Sequence, residues 1–145
     1  MAIKLQLSGF DELLAQIQKA GGTIDRAVES CLKQSAQIMQ SELKSEMKKS
    51  GVDNDLIARM PAPEIQQDGN TMIARVGYKK GAYNPNDLSD GFKVVFLNYG
   101  TPKRDEKYGR IEARGFIDRA QKKARKQIKK AQKETLEKIL ERVNK

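Results

Sequence analysis

Histidine and tryptophan are absent from the 145-residue sequence, and cysteine occurs once. Without histidine, the chain has neither an imidazole general base nor a Ser-His-Asp triad, and it lacks a common zinc ligand. A single cysteine forms no disulfide within the chain, so a disulfide-rich scaffold is excluded and a reducing compartment is expected. No apolar run approaches the roughly 20 residues that span a bilayer, so we expect no membrane partner.

Sequence motifs for catalysis and for cofactor binding are also missing. The acidic cluster Asp53-Asn54-Asp55 lacks the glycine and distal glutamate of an EF-hand calcium loop. There is no glycine-rich phosphate-binding loop, and the other acidic pairs lie in loops or first helical turns without a recognisable catalytic partner. The sequence therefore predicts a protein that is not an enzyme and that uses no metal or cofactor.

Positive charge is abundant, and it is concentrated at one end of the chain. The formal net charge is +9. Residues 100–145 carry 16 basic and 7 acidic side chains, which accounts for this excess, because residues 1–99 carry 12 of each. The partner of the C-terminal third is therefore the main functional question.

Apolar periodicity in the N-terminal half predicts a strand followed by two helices. Residues 3–7 alternate between apolar and polar side chains, which is typical of a half-buried strand. Helical spacing follows over residues 10–17, and a long amphipathic helix is expected from residue 24 to about residue 49. Cys31 lies on the apolar face of that long helix, and we expect it to be a small core residue.

The second half adds a hairpin, one ambiguous segment and a last helix. A β-hairpin is expected over residues 64–78, around the turn Asp68-Gly69-Asn70. The apolar segment 92–99 predicts a central strand, although Phe92, Val95, Phe96 and Tyr99 also satisfy helical spacing. A helix is expected over about residues 115–143. The predicted fold is thus a single α+β domain over residues 1–145, in which a small, largely antiparallel sheet is packed by the long helix of the N-terminal half and by the basic C-terminal helix.

Three segments are predicted to be loops, namely 51–63, 79–91 and 102–114. The last of them mixes charges of both signs with a single aromatic residue and shows no apolar periodicity. Such a composition predicts a loop that is disordered in the free chain and is ordered by a neighbouring molecule.

The last helix has a basic face opposite an apolar stripe. Between Arg119 and Lys133 there are eight basic residues and no acidic one, and on a wheel of 100° per residue they span an arc of roughly 160°. An unopposed run of this length favours a polyanion or an acidic neighbour, and the alternative is a solvated surface. The candidate assembly or DNA-facing residues are Lys103, Arg104, Arg110, Lys122, Lys126, Lys129, Lys130 and Lys133.

A second apolar stripe near the end of this helix is rotated by roughly 110–120° from the first. It consists of Leu136, Ile139, Leu140 and Val143. Since one straight helix on one core cannot bury both stripes, and no Pro or Gly near Glu134 would bend it, these four residues predict a contact with another subunit.

Two short segments carry a resemblance to a known family. The predicted order of elements leads to Asn98-Tyr99-Gly100-Thr101, and after a gap to Ala113-Arg114-Gly115-Phe116 at the start of the last helix. This resembles the tail-completion, or head–tail joining, proteins of long-tailed bacteriophages, also called minor tail proteins of the Z type. Asn98 stands where the family more often has Glu, and Gly115 stands where Pro is usual. The family's Val/Pro-Asp-Thr-Gly-Xaa-Leu loop has only a partial counterpart in residues 52–56.

The resemblance implies a structural virion protein of the neck or of the head-proximal end of the tail. Such a protein is made in the host bacterial cytoplasm, for a phage, a prophage or a tail-derived particle. It implies a homo-oligomeric ring, six-fold by analogy, that contacts neck, connector and tail-terminator or tail-tube proteins and surrounds lumenal DNA. The implied motif residues are Tyr99, Gly100, Thr101, Arg114 and Phe116. The alternative is a free nucleic-acid-binding protein that places the Arg119–Lys133 face on phosphates, although no base-reading motif accompanies the charge.

Overall fold

The structure is a computed structural model that describes residues 2–79, 87–101 and 111–144. Within these ranges the chain forms three strands and five helices. The strands are β1 (Ala2–Leu5), β2 (Glu64–Asp68) and β3 (Thr71–Gly77). The helices are α1 (Asp11–Lys19), α2 (Ile24–Lys49), α3 (Asn54–Ala58), α4 (Asp90–Tyr99) and α5 (Phe116–Val143). The predicted α+β class is confirmed.

The sheet is antiparallel and has the order β1-β3-β2. β2 and β3 form the predicted hairpin, in which Asp68 pairs with Thr71. Side chains alternate between the two faces, so Ile3, Ala74 and Val76 are buried on one face, against α2. We call the opposite face, which carries Lys4 and Arg75, the outer face of the sheet.

The two long helices pack against each other in antiparallel directions and share the core beneath the sheet. At one end Ser35 of α2 contacts Gln132 of α5, and at the other end Glu46 of α2 contacts Lys123. The buried residues of α2 and the first stripe of α5 belong to one cluster with the inner face of the sheet. The stripe residues in that cluster are Phe116, Ile117, Ala120 and Ala124. The predicted packing of both long helices is confirmed.

The predicted strand over residues 92–99 is wrong, because this segment is the helix α4. Ser89 caps its first turn, with the hydroxyl accepting a hydrogen bond from the Phe92 amide at 3.5 Å. Its buried positions are Gly91, Val94 and Asn98, at helical spacing. Tyr99 is 64% exposed, so the helical face that the aromatic residues suggested is not the buried one either.

One predicted loop contains a helix, and most of the other two is not described. Residues 51–63 contain the short helix α3, where the Asp53 carboxylate accepts a hydrogen bond from the Asp55 amide at 3.1 Å and Leu56 is buried. Residues 80–86 and 102–110 lie outside the described residues. The disorder expected over residues 102–114 therefore stays a prediction.

The second stripe of α5 is covered in part by the same chain. Leu136 is fully buried in a separate cluster with Ile17, Ala27 and Cys31. Ile139 and Leu140 pack against that cluster, and a Cβ added at Gly22 would lie 3.2 Å from the Val143 side chain. The premise that the chain's own core leaves this stripe uncovered is wrong for Leu136, whereas a subunit contact of the half-buried Ile139, Leu140 and Val143 stays a prediction. One helix can bury both stripes because α1 covers a different side of α5 from the one that faces the sheet.

Cys31 is a core residue, as predicted. Its side chain is fully buried, and its Sγ donates to the Gln132 carbonyl at 3.7 Å. Burial raises the pKa of the thiol to about 11, so the thiol stays protonated at neutral pH. None of the helices in the described ranges is long and apolar enough to cross a membrane.

Candidate functional site

The two segments that carry the family resemblance meet in one junction, where α4 ends and α5 begins. The Thr101 amide donates to the Ile111 carbonyl at 2.9 Å, and the Ile111 amide donates to Thr101 Oγ1 at 2.9 Å. The amides of Arg114 and Gly115 donate to carbonyls of the last turn of α4, at 3.1 and 3.0 Å. We call residues 97–101 with 111–117 the α4–α5 junction.

The Asn98 side chain is hydrogen-bonded to the start of α5 within this junction. The side chain is buried, and its Oδ1 accepts a hydrogen bond from the Ile117 amide at 2.9 Å. The first amides of a helix have no partner within the helix, so this bond satisfies one of them from another element. Sequence analysis treated Asn98 only as a departure from the family pattern. Its spacing of four from Val94 would have placed it on the buried face of a helix.

Gly100 is required by the geometry of the junction. Its φ is +77°, and a Cβ there would lie 2.7 Å from the Ile111 carbonyl oxygen and 2.8 Å from the Ala113 amide nitrogen. Gly115 has a φ of +60°, which proline cannot adopt because its ring fixes φ near −65°. The position where the family usually has Pro therefore differs from that pattern in backbone as well as in residue type.

The remaining motif residues divide between core and surface. Phe116 is fully buried, and the Arg114 guanidinium donates to the Ser50 carbonyl at 3.2 Å, which links the junction to the end of α2. Tyr99 and Ile111 are the two large hydrophobic residues among the described ranges that remain exposed, at 64% and 39%. Both belong to the junction, close in sequence to the residues that form its hydrogen bonds.

The basic face of α5 is partly engaged within the chain. Lys129 donates to the Ser8 carbonyl at 2.8 Å, and its Nζ lies 5.2 Å from the centre of the Phe10 ring. Five other cations are exposed and have no hydrogen bond or ion pair with the described part of the chain. We call them the free basic face: Lys122, Arg125, Lys126, Lys130 and Lys133. The other three predicted residues, Lys103, Arg104 and Arg110, lie outside the described residues.

Two residues of the predicted basic run form ion pairs with a carboxylate of α2 instead. Arg119 Nε lies 3.1 Å from a carboxylate oxygen of Glu46, and Lys123 Nζ also bonds that carboxylate. Lys49 lies 3.7 Å from it, and the Glu46 side chain is only 3% exposed. The hydrogen bond from Lys123 lowers the pKa of Glu46 below its ordinary value of 4.5, against the opposing effect of burial. This cluster joins α2 to α5, and sequence analysis did not find it.

The Glu46 cluster predicts a specific loss of stability in acid. Because the folded pKa of Glu46 lies below the ordinary value, its ion pairs stabilise the fold above about pH 4.5 and are lost as the pH falls through the lowered pKa. The stability advantage of the wild type over Glu46→Gln should therefore shrink as the pH falls below about 4.5. Urea unfolding at each pH measures it.

Glu42 provides the matched control one turn earlier on α2, where its carboxylate accepts from Gln127 at 3.0 Å. Glu42→Gln should keep the pH profile of the wild type. An advantage over Glu46→Gln that is constant across the pH range would contradict the ion-pair interpretation.

Comparisons with models of protein families, with curated proteins and with solved structures give no match. The contacts described above, together with the motif residues of the junction, are therefore the basis for a functional proposal.

Proposed function

We propose that this chain is a structural protein of a phage-type neck or head-proximal tail end, where it forms an oligomeric ring that completes the tail and joins it to the head. The observation that supports the proposal best is the α4–α5 junction. The segments 98–101 and 113–116, which resemble the tail-completion family, bond to each other as one structural unit. Two segments that are separate in sequence, and that each resemble the family, thus lie in a single local structure.

The proposed ring needs contacts between subunits, and the α4–α5 junction offers one. Tyr99 is mostly exposed, and Ile111, which is also exposed, is hydrogen-bonded through its backbone to Thr101. Exposed apolar groups on a rigid surface suit a partner that covers them. We place the subunit contact here instead of on the second stripe of α5. The proposal still includes a place in the virion and a six-fold ring. It also includes flanking connector and tail proteins, and DNA in the lumen.

Size exclusion with light scattering, carried out with and without a short DNA duplex, tests the ring. We expect an assembly whose mass is a multiple of that of one chain and which forms without DNA. A monomer that binds the duplex tightly at physiological salt would favour the free nucleic-acid-binding protein. A chain that stays monomeric at every concentration would count against the ring.

The second candidate, non-specific nucleic-acid binding, has one observation in its favour, which is the free basic face of α5. Five cations without partners in the described part of the chain can replace counterions on phosphates. The same contact would serve a ring protein that surrounds DNA, so the face is relevant to both candidates.

Neutralising part of the free basic face should weaken DNA binding in a salt-dependent way. If Lys122, Lys126 and Lys133 each contact a phosphate, replacing all three with Gln should lower the slope of log affinity against log salt by about 0.9 per residue. The control is a second triple variant with the same net charge as the first, in which three other exposed lysines are replaced with Gln. These are Lys19, Lys48 and Lys93. Fluorescence anisotropy with a labelled duplex measures both. Equal losses in the two variants would mean that net charge, and not this face, attracts the DNA.

A further inference from the structure

A cavity of about 580 Å³ lies over the outer face of the sheet, away from the basic face of α5. Its floor includes Lys4, Glu64 and Arg75, one from each strand. One wall is apolar and contains Pro61, Phe92 and Val95, the last two from α4. No residue of α5 is part of its described lining. This volume is in the usual range of ligand-binding cavities.

Arg75 is the unusual residue of this cavity. Its Nε is buried and has no hydrogen-bond partner among the residues that the structure describes. Buried donors are almost always paired, so the described residues leave the guanidinium of this cavity-lining residue without one of its usual protein acceptors. The guanidinium is a planar fork that matches a carboxylate in shape and in charge.

The neighbours of Arg75 compensate its positive charge only in part, because the described lining of the cavity holds three cations and one carboxylate. Lys4 lies directly opposite on β1, which sets two cations side by side, and neither has an ion pair with the described part of the chain. Glu64 lies opposite on β2, but its carboxylate is engaged with Lys79 at 3.2 Å and with Gln66 at 3.1 Å. Like charges on directly opposed residues of neighbouring strands are unfavourable, and an anion between them removes the repulsion.

We propose that this cavity binds an acidic peptide segment of a partner protein. One carboxylate of the segment lies against the Arg75 guanidinium and the Lys4 ammonium, and an adjacent apolar side chain packs on Phe92 and Val95. A singly charged carboxylate suits the site because Glu64 already contributes one negative charge to the floor. A nucleic-acid backbone suits it less, since phosphates offer nothing to cover the apolar wall. The proposal does not depend on the ring or on the basic face of α5.

A pair of blocked peptides tests the proposal on the intact, unmodified chain. The probes are acetyl-Ala-Phe-Glu-Ala-amide and the same peptide with Gln in place of Glu, each titrated into ¹⁵N-labelled protein and followed by NMR shifts. We expect the acidic peptide to shift the amides of Lys4, Arg75 and Val95, and to bind about tenfold more tightly than the Gln peptide. Equal affinity for the two peptides, or no shifts at the cavity, would overturn the proposal. Inorganic phosphate that binds there more tightly than the acidic peptide would also overturn it.

Two variants locate the charge that recognises the ligand. Arg75→Gln should remove the preference for the acidic peptide, and Arg75→Lys, which keeps the charge but not the fork, should retain only part of it. Arg26→Gln, at an exposed position outside the cavity lining, should bind like the wild type. Should Arg75→Gln fail to fold, Lys4→Gln in its place should reduce the same preference. Full preference in either folded variant at Arg75 would contradict the assignment.

Discussion

Replacing Phe116 with alanine should lower the free energy of unfolding by about 3–5 kcal/mol, the usual cost of removing a fully buried aromatic side chain. Phe116 is the first residue of α5 and has no exposed surface. It belongs to the main core together with Val94 of α4 and Val76 of the sheet. The loss should therefore combine the missing apolar contacts with a cavity at the point where α4, α5 and the sheet meet.

Urea unfolding followed by circular dichroism measures the Phe116→Ala effect, read as a shift in midpoint at constant slope. Ile111→Ala is the control from the same junction, and since Ile111 is 39% exposed its effect should be much smaller. A Phe116→Ala midpoint within error of the wild type would mean that the main core does not depend on this residue.

Removing residues 135–145 should destabilise the fold by about 5 kcal/mol or more, which equals the whole stability of many domains. Leu136 is fully buried, and losing one such leucine alone costs about 2–5 kcal/mol. The deletion also removes Ile139 and Leu140, and it uncovers Ile17 and Cys31. We therefore expect loss of α1 packing and partial or complete unfolding.

A shorter deletion separates the stripe from the end of the chain. A protein ending at Val143 keeps all four stripe residues and should unfold like the wild type. Circular dichroism and urea midpoints of the two deletions give the comparison. If the protein lacking residues 135–145 instead melts like the wild type and only fails to assemble, the stripe is a subunit contact after all.

Sequence analysis succeeded where one long segment carries its own periodic signal. α2 and α5 each repeat their apolar spacing over many residues, and the hairpin is indicated by its local turn, so their type did not depend on distant partners. The segment 92–99 is short and apolar on most sides, and such a segment satisfies strand and helix patterns equally. The Ser89 cap and the burial of Val94 and Asn98 determine that it is a helix. This burial depends on tertiary contacts.

The parts of the candidate site that sequence analysis missed are contacts between residues far apart in the chain. Asn98 meets Ile117 across 19 positions, and Glu46 meets Arg119 and Lys123 across 73 and 77 positions. A helical wheel treats Lys123 and Lys129 as ordinary members of the basic face, because it contains no information on which neighbour approaches. The error about the second stripe has the same cause, since the wheel considered one packing partner and α1 provides a second.

The antiparallel packing of α2 against α5 also affects the order in which parts of this chain can fold. Cys31 and Ser35 of α2 are hydrogen-bonded to Gln132 of α5, at sequence separations of 101 and 97 residues. Until α5 has formed, the part of the apolar face of α2 that α5 covers stays exposed, and hydrophobic faces exposed in this way promote aggregation. Contacts of such long range also slow folding, because a long stretch of chain must be closed before they form. The core is therefore complete only after α5 has formed, and the period before that is the one in which aggregation of this chain is most favoured.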